Sequence, residues 1–326
     1  MSLASKLPRS PAPAALVMVR PHCFRPNPET AADNGFQQQA TAPESHAESL
    51  AMQAHAEHSR AVAALRSAGL RVHLFEDRGE RDTPDSVFPN NWFSSHADGT
   101  LLLYPMHAPN RRREQREDIL ALLQREYLVR RVIDHSGLAA QGIALEGTGA
   151  MVLDAEQRLA LVARSKRTHE GLLATVCAQL GYRAQIFDAH DALGLPVYHS
   201  NVMLCVARHF ALVGLSLVPD AGQRERLRTS LAGQPGRPRT VIELSPEQIG
   251  EFAGNALELR SADGEHLLAL SSRAEASLSA AQKAQIRASA TLLPLTVPTL
   301  ERAGGSVRCM LAGVHLERRA HLEDAA

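Results

Sequence analysis

Apolar positions fall into a helical rhythm five times along the chain, and a short apolar or β-branched run follows each time. Residues 48–68 set Leu50, Ala54, Ala61, Leu65 and Ala68 at helical spacing and then meet Gly69, a residue suited to ending a helix. Residues 111–127 carry Ile119, Leu122 and Leu123 behind a charged first half. Residues 168–180 open on Thr168 as a cap, with Glu170 close behind, and end at Gly181. Residues 221–231 repeat the pattern more weakly. Residues 279–289 pair Ser279 with Gln282 three positions on, the spacing of a capping box. The runs that follow, at 72–75, 129–133, 184–187, 240–244 and 291–297, read as strands.

Beyond each strand an irregular stretch leads to a small or polar cluster. The clusters are Pro89-Asn90-Asn91-Trp92, Gly147-Thr148-Gly149-Ala150, His199-Ser200-Asn201-Val202, Ala253-Gly254-Asn255-Ala256 and Ser306-Val307-Arg308-Cys309. With Asn91, Gly149, Asn201, Asn255 and Arg308 as equivalent points, the intervals are 58, 52, 54 and 53 residues. Near-constant intervals indicate one supersecondary unit copied several times. A doubly wound sheet would place a Gly-rich phosphate loop after its first strand, and the sequence has none. The expected fold is therefore α/β, a radial, five-fold pseudosymmetric ring of helix–strand units whose polar clusters meet near the axis. One site would then draw on distant parts of the chain. The expected organisation is a tail at 1–15, one catalytic domain at 16–318 and a second tail at 319–326.

Composition narrows the function classes. A chain of 326 residues with 44% hydrophobic and 21% charged residues suits a soluble protein with a sizeable core. Acidic and basic residues balance at 35 each, which removes the broad basic field of most nucleic-acid binders. No apolar run approaches a membrane span, and residues 1–15 lack the apolar segment of a secretory signal. Cys23, Cys177, Cys205 and Cys309 have no paired spacing, so a reduced cytoplasmic protein is expected. His55 and His58 lie one helical turn apart with His46 upstream, and read as a solvated helix face rather than as metal ligands. Arg111-Arg112-Arg113 reads at this level as a solvated charge run, and the stretch around Arg167 as a helix start.

The chemistry-bearing residues lie at the clusters. Cys309 follows Gly304-Gly305-Ser306, and Arg308 beside it favours the reactive thiolate. Taken alone, Cys309 reads equally as a buried structural cysteine, and the other three cysteines sit in apolar contexts that favour that reading. His199 occupies the matching cluster two units earlier, and His suits acid–base work near neutrality. Glu146, just before Gly147, is placed to orient it. Together the three supply a nucleophile, a base and an orienting carboxylate.

At these residues the chain resembles the guanidino-group-modifying (pentein) superfamily. Pro84-Asp85-Ser86-Val87-Phe88, Leu145-Glu146-Gly147, Ser165-Lys166-Arg167-Thr168, His199 and Cys309 occur in the order seen in dimethylarginine dimethylaminohydrolases and arginine deiminases. Arg25-Pro26-Asn27, Asp33-Asn34-Gly35-Phe36 and Phe88-Pro89-Asn90-Asn91-Trp92 look most like the branch called citrulline-utilization hydrolases, or amidinotransferase-related proteins. The likeness covers residues 17–316 and implies the pentein α/β-propeller. It implies Cys309 as nucleophile, His199 as acid/base and Glu146 as its orienting carboxylate. It further implies that Asp85 contacts the amino-acid end of a small amino-acid substrate, while Arg111 and Arg167 grip its carboxylate. Such chemistry needs no metal or organic cofactor, and a homodimer is compatible with it.

Three departures bear on the substrate. Asn90 and Asn91 stand where methylarginine hydrolases have Glu-Asp, Asn201 stands where arginine deiminases have Asp, and Gly147-Thr148-Gly149 replaces Gly-Gly-Asp. A cation without counter-charge is costly to desolvate, whereas Asn both donates to and accepts from a neutral ureido group. The expected activity is hydrolysis of the terminal C–N bond of a citrulline- or arginine-like amino acid with release of ammonia, leaning towards citrulline. An amidinotransferase using the same three residues and a catalytically silent pentein scaffold are the alternatives.

Overall fold

The computed structural model describes residues 12–38, 47–191 and 194–320. Its sheet content is five three-stranded sheets of one pattern, plus a small hairpin. In each sheet a short inner strand runs antiparallel to a middle strand, which runs parallel to an outer one. The middle strands are Ala15–Pro21, Thr100–Leu103, Leu159–Ala163, Phe210–Val213 and His266–Ser271. They are near-continuous apolar runs, as strands covered on both faces require. A parallel partner needs a crossover, and each crossover holds a helix: Ala47–Ser67, Glu117–Glu126, Glu170–Leu180, Ala221–Leu231, and the pair Ser272–Ser277 and Ala280–Arg287. This is an α/β fold.

The inner strands are Phe93–Ser95, Met151–Asp154, Leu204–Val206, Leu257–Arg260 and Ala312–Val314. The last returns to the first sheet, pairing Ala15 with Val314. The expected N-terminal tail therefore stops short of residue 15: Ala15 already begins a strand, and the Pro13 carbonyl accepts from the Arg260 backbone N–H at 3.1 Å. Residues 1–11 and 321–326 of the expected tails lie outside the described residues, as does His46.

Local chemistry explains where the sequence reading holds. Gly69 takes φ +79° behind the first helix. Ser279 and Gln282 form the reciprocal cap, at 3.2 and 2.9 Å. Two starts differ. The stretch 111–127 breaks into a 3-10 turn, Asn110–Glu114, and the helix Glu117–Glu126, because Arg111 and Glu114 both turn inward. Thr168 is spent on a bridge to Leu145, and His169 caps the next helix instead, its Nδ1 accepting from the Leu172 N–H at 3.2 Å. Among the described residues no helix is long and apolar enough to cross a membrane.

Candidate active site

Each polar cluster forms the turn that feeds an inner strand. Pro89–Asn91 and Ser200–Val202 are 3-10 turns, Gly147–Ala150 and Val307–Met310 are single helical turns, and Asn255 precedes the strand Leu257–Arg260. The inner strand after Cys309 starts at Ala312, because Cys309 itself sits in the turn. The turns converge: Gly147, at φ +45°, packs on the carbonyls of Asn90 and Asn91, where an added Cβ would sit 2.6–2.7 Å from the oxygens.

Glu146 and His199 meet at 2.8 Å, Oε2 to Nε2, and both are buried. The other carboxylate oxygen accepts from the His107 N–H at 3.0 Å. Burial opposes the charge of Glu146, but Arg167 at 3.3 Å, His199 and Arg111 at 3.5 Å outweigh it and hold its pKa well below the carboxylate norm. Burial pushes His199 down to about 4 against the pull of Glu146, so the imidazole is neutral at pH 7. A carboxylate only accepts, so the ring proton sits on Nε2 and Nδ1 is free to act as a base. Gly149 makes room for it, since a Cβ there would lie 2.7 Å from Nδ1.

The Cys309 thiol lies 3.3 Å from Asn255 Nδ2 and 3.4 Å from Asn201 Nδ2. Burial raises its pKa, and the two amides, the Ser306 backbone and Arg308 only partly offset this. The resting group is a neutral thiol, so the expected effect of Arg308 is present but does not win. Cys177 and Cys205 are buried as expected, whereas Cys23 is exposed.

Arg111 and Arg167 are both buried: Arg111 is not the solvated charge its sequence context suggested, and Arg167 lies in a turn ahead of the helix Glu170–Leu180 rather than at its start. Arg111 pairs with Glu114 at 2.8 Å, donates to Asn91 Oδ1 at 3.1 Å and stands 3.7 Å from Asp85. Arg167 holds Asp33 at 2.7 Å and stacks on Tyr198. Asp85 accepts from Asn27 at 2.7 Å. The fold therefore gathers Asp85, Asn90, Asn91, Arg111, Glu146, Arg167, His199, Asn201 and Cys309. Sequence reasoning missed Asn255 as a thiol partner, although its cluster had been aligned with the others, and missed Asp33 and Glu114 as counter-ions.

Four buried polar atoms of this cluster have no partner: Asp85 Oδ1, Asn90 Oδ1, Asn91 Nδ2 and Asn255 Oδ1. The amide orientations of Asn91 and Asn255 are fixed, because Arg111 can only donate to Asn91 and the Asn201 carbonyl can only accept from Asn255. Unpaired buried polar atoms gathered in one place mark a ligand site. Elsewhere, His58 is fully buried with both ring nitrogens unpartnered, so that helix face is not solvated, and burial drives its pKa down to about 3. His55 lies with His22 and Glu76, their ligand atoms within 4.8 Å of one another, and Glu76 is already ion-paired with Arg20.

The profile of the eukaryotic N,N-dimethylarginine dimethylhydrolase family matches residues 20–316. The chain belongs to this family. Membership of the pentein superfamily, expected from the motifs, is thereby shown. No curated protein sequence matches the chain. Among solved structures, the N-terminal domain of ArgZ, a cyanobacterial arginine dihydrolase of the ornithine–ammonia cycle, was determined with substrate bound. It shares 15% identity over 93% of this chain and 98% of its own, with a TM-score of 0.69. AgrE bound to L-arginine shares 16% identity over 94% of this chain and 41% of its own, at 0.70. A dimethylarginine dimethylaminohydrolase adduct with S-methyl-L-thiocitrulline shares 15% over 94% and 100%, at 0.59. These likenesses establish the fold, which is the α/β fold of this family.

Proposed function

We propose that the protein is a cysteine-dependent hydrolase of the terminal C–N bond of an amino acid bearing a guanidino group. The observation that carries the reading is the pairing of Glu146 with a neutral His199 in the same buried cluster as an amide-held Cys309. The family, and the arginine and dimethylarginine hydrolases among the structural relatives, support it.

In this reading the thiol proton passes to His199 as sulfur attacks the terminal carbon. The same proton goes to the departing nitrogen, and the C–N bond breaks. A thiouronium-type intermediate remains on Cys309. His199 then takes a proton from water, whose oxygen attacks that carbon, and the C–S bond breaks to release the ureido product and the thiol. Glu146 keeps Nε2 protonated and steadies the imidazolium. Arg111 and Arg167, already tied to carboxylates, fix the charge of Glu146, and gripping the substrate carboxylate falls to the donors they leave free. The five sheets form the five-fold propeller that carries these turns.

The substrate lean changes. Three of the four unpartnered atoms are acceptors, one of them a carboxylate oxygen. A guanidinium offers five N–H donors and no acceptor, so it satisfies this set better than a ureido group does. The single unpartnered donor, Asn91 Nδ2, is what a ureido carbonyl would use, and it keeps citrulline as the second reading. Ammonia or amine release from arginine, methylated arginines, agmatine and citrulline, each with and without an added amine acceptor, tests both and also separates hydrolysis from amidino transfer. Release by Cys309→Ala at the wild-type rate would sink the mechanism.

A further inference from the structure

A cavity of about 760 Å³ lies among the inner strands, and its wall includes Arg308 and Cys205 but not Cys309, His199 or Glu146. It is a chamber separate from the catalytic cluster, within the size range of small-molecule sites. Its wall carries six arginines and four carboxylates. The carboxylates are occupied. Asp154 and Glu156 pair with Arg239, Glu156 also with Arg237, and Asp98 with Arg131. Glu258 accepts from the Arg208 backbone N–H at 2.8 Å and meets His266 at 3.0 Å.

What remains is positive. Arg158, Arg208 and Arg260 stand exposed at the chamber and, among the described residues, form no ion pair with a carboxylate. Arg158 instead stacks on Tyr182 and reaches the Leu180 carbonyl. Arg308 is half-buried and, among the described residues, likewise forms no ion pair with a carboxylate. A half-buried guanidinium without an anion stands to gain from one, and its planar fork binds oxyanions two oxygens at a time. His315, beside Arg308 in the same wall, offers a further ring N–H.

We infer that this chamber binds a small multivalent oxyanion, phosphate- or carboxylate-based, on Arg308 with Arg158 and Arg260 at the rim, and that the bound anion lowers the reactivity of Cys309. The second part follows from adjacency. Arg308 is the neighbour of Cys309 in the turn Val307–Met310, and its charge is one of the groups that pull the thiol's pKa down. An anion on the guanidinium removes that pull. The inference is independent of the substrate.

Calorimetric titration of the full chain with inorganic pyrophosphate, and separately with citrate, at ionic strength held constant with sodium chloride, tests it and distinguishes the two chemistries. Saturable one-to-one binding of at least one anion is expected, weakened tenfold or more in Arg308→Gln and threefold or more in the exposed Arg158→Ala/Arg260→Ala double variant. Iodoacetamide labelling of Cys309 is expected to slow at least threefold at saturating anion. Circular dichroism checks that the variants fold, and the rim variant decides the question if Arg308→Gln does not. No saturable heat with either anion, or an affinity unchanged in the folded variants, overturns the site. An unchanged labelling rate overturns the coupling.

Discussion

Two buried thiols, Cys309 and Cys205, both feel the charge of Arg308, yet their settings differ. Cys205 sits within the inner strand Leu204–Val206 among apolar neighbours, and burial pushes its pKa up to about 12. Cys309 is as deeply buried but sits in a turn, where Asn201 and Asn255 aim amide N–H groups at the sulfur. Burial alone silences a thiol, and donors built into the adjacent turns are what make one usable. The same contrast separates turn from strand throughout the molecule: strands supply packing, and the turns before them supply chemistry.

The largest expected effect comes from removing the proposed nucleophile. Cys309→Ala should abolish product release, a drop of roughly 10⁴-fold or more, while Cys205→Ala leaves the rate within about threefold and costs only a small cavity. A steady-state comparison of the two variants decides whether the contrast is functional. Next come the base and its partner: His199→Ala or Glu146→Gln should each lower kcat by about 10²- to 10⁴-fold. Gly149→Ala should follow, at about 10²-fold, because its Cβ displaces Nδ1 of His199. Retained activity in that variant would show that Nδ1 is not the working nitrogen.

A smaller effect sharpens the role of the amides. A hydrogen bond to a charged group contributes about 1.5–3 kcal/mol, so Asn255→Leu should slow alkylation of Cys309 by roughly 10- to 100-fold at fixed pH. In the wild type the labelling rate should keep rising as pH passes the ordinary thiol range, since burial raises this pKa. A plateau near neutrality would break the argument. The smallest effect concerns stability. Between pH 6.5 and about 3, unfolded His58 takes up a proton that the folded ring refuses. Stability is therefore full above pH 6.5 and falls as pH drops through this window, by up to about 1.4 kcal/mol per pH unit for each such histidine. His58→Phe should flatten that slope in urea melts taken at pH 4, 5 and 6.

Much of the scaffold was legible because helices and strands announce themselves by period. The helix Ala47–Ser67 was placed within one residue at each end, and Ala221–Leu231 at both. What was not legible depends on partners far away in sequence. Nothing near Arg111 signals that Asp85 will approach it, and nothing near Arg167 signals Asp33, whereas Glu114, three residues from Arg111, was within reach of the sequence. The inner strands, only three or four residues long, are too short to carry a period of their own. Asn255 was within reach, because its cluster stood in register with those of Asn91 and Asn201. His58 was misjudged although it stands on the apolar stripe of the Ala47–Ser67 helix, four residues after Ala54 and three before Ala61, because its polar type was given more weight than its position.

The pairing of Ala312–Val314 with Ala15–Pro21 carries a temporal consequence. Cys309 lies in the turn leading into Ala312–Val314, so the proposed nucleophile takes its place only after the residues before it have emerged and that strand has met Ala15–Pro21. Contacts as distant in sequence as Ala15 and Val314 form late and slowly, since the intervening loop must be closed first. A nascent chain on the ribosome thus carries His199 and Glu146 long before it carries Cys309. The arrangement ties the setting of Cys309 to closure of that sheet, and labelling of Cys309 should report when the sheet closes.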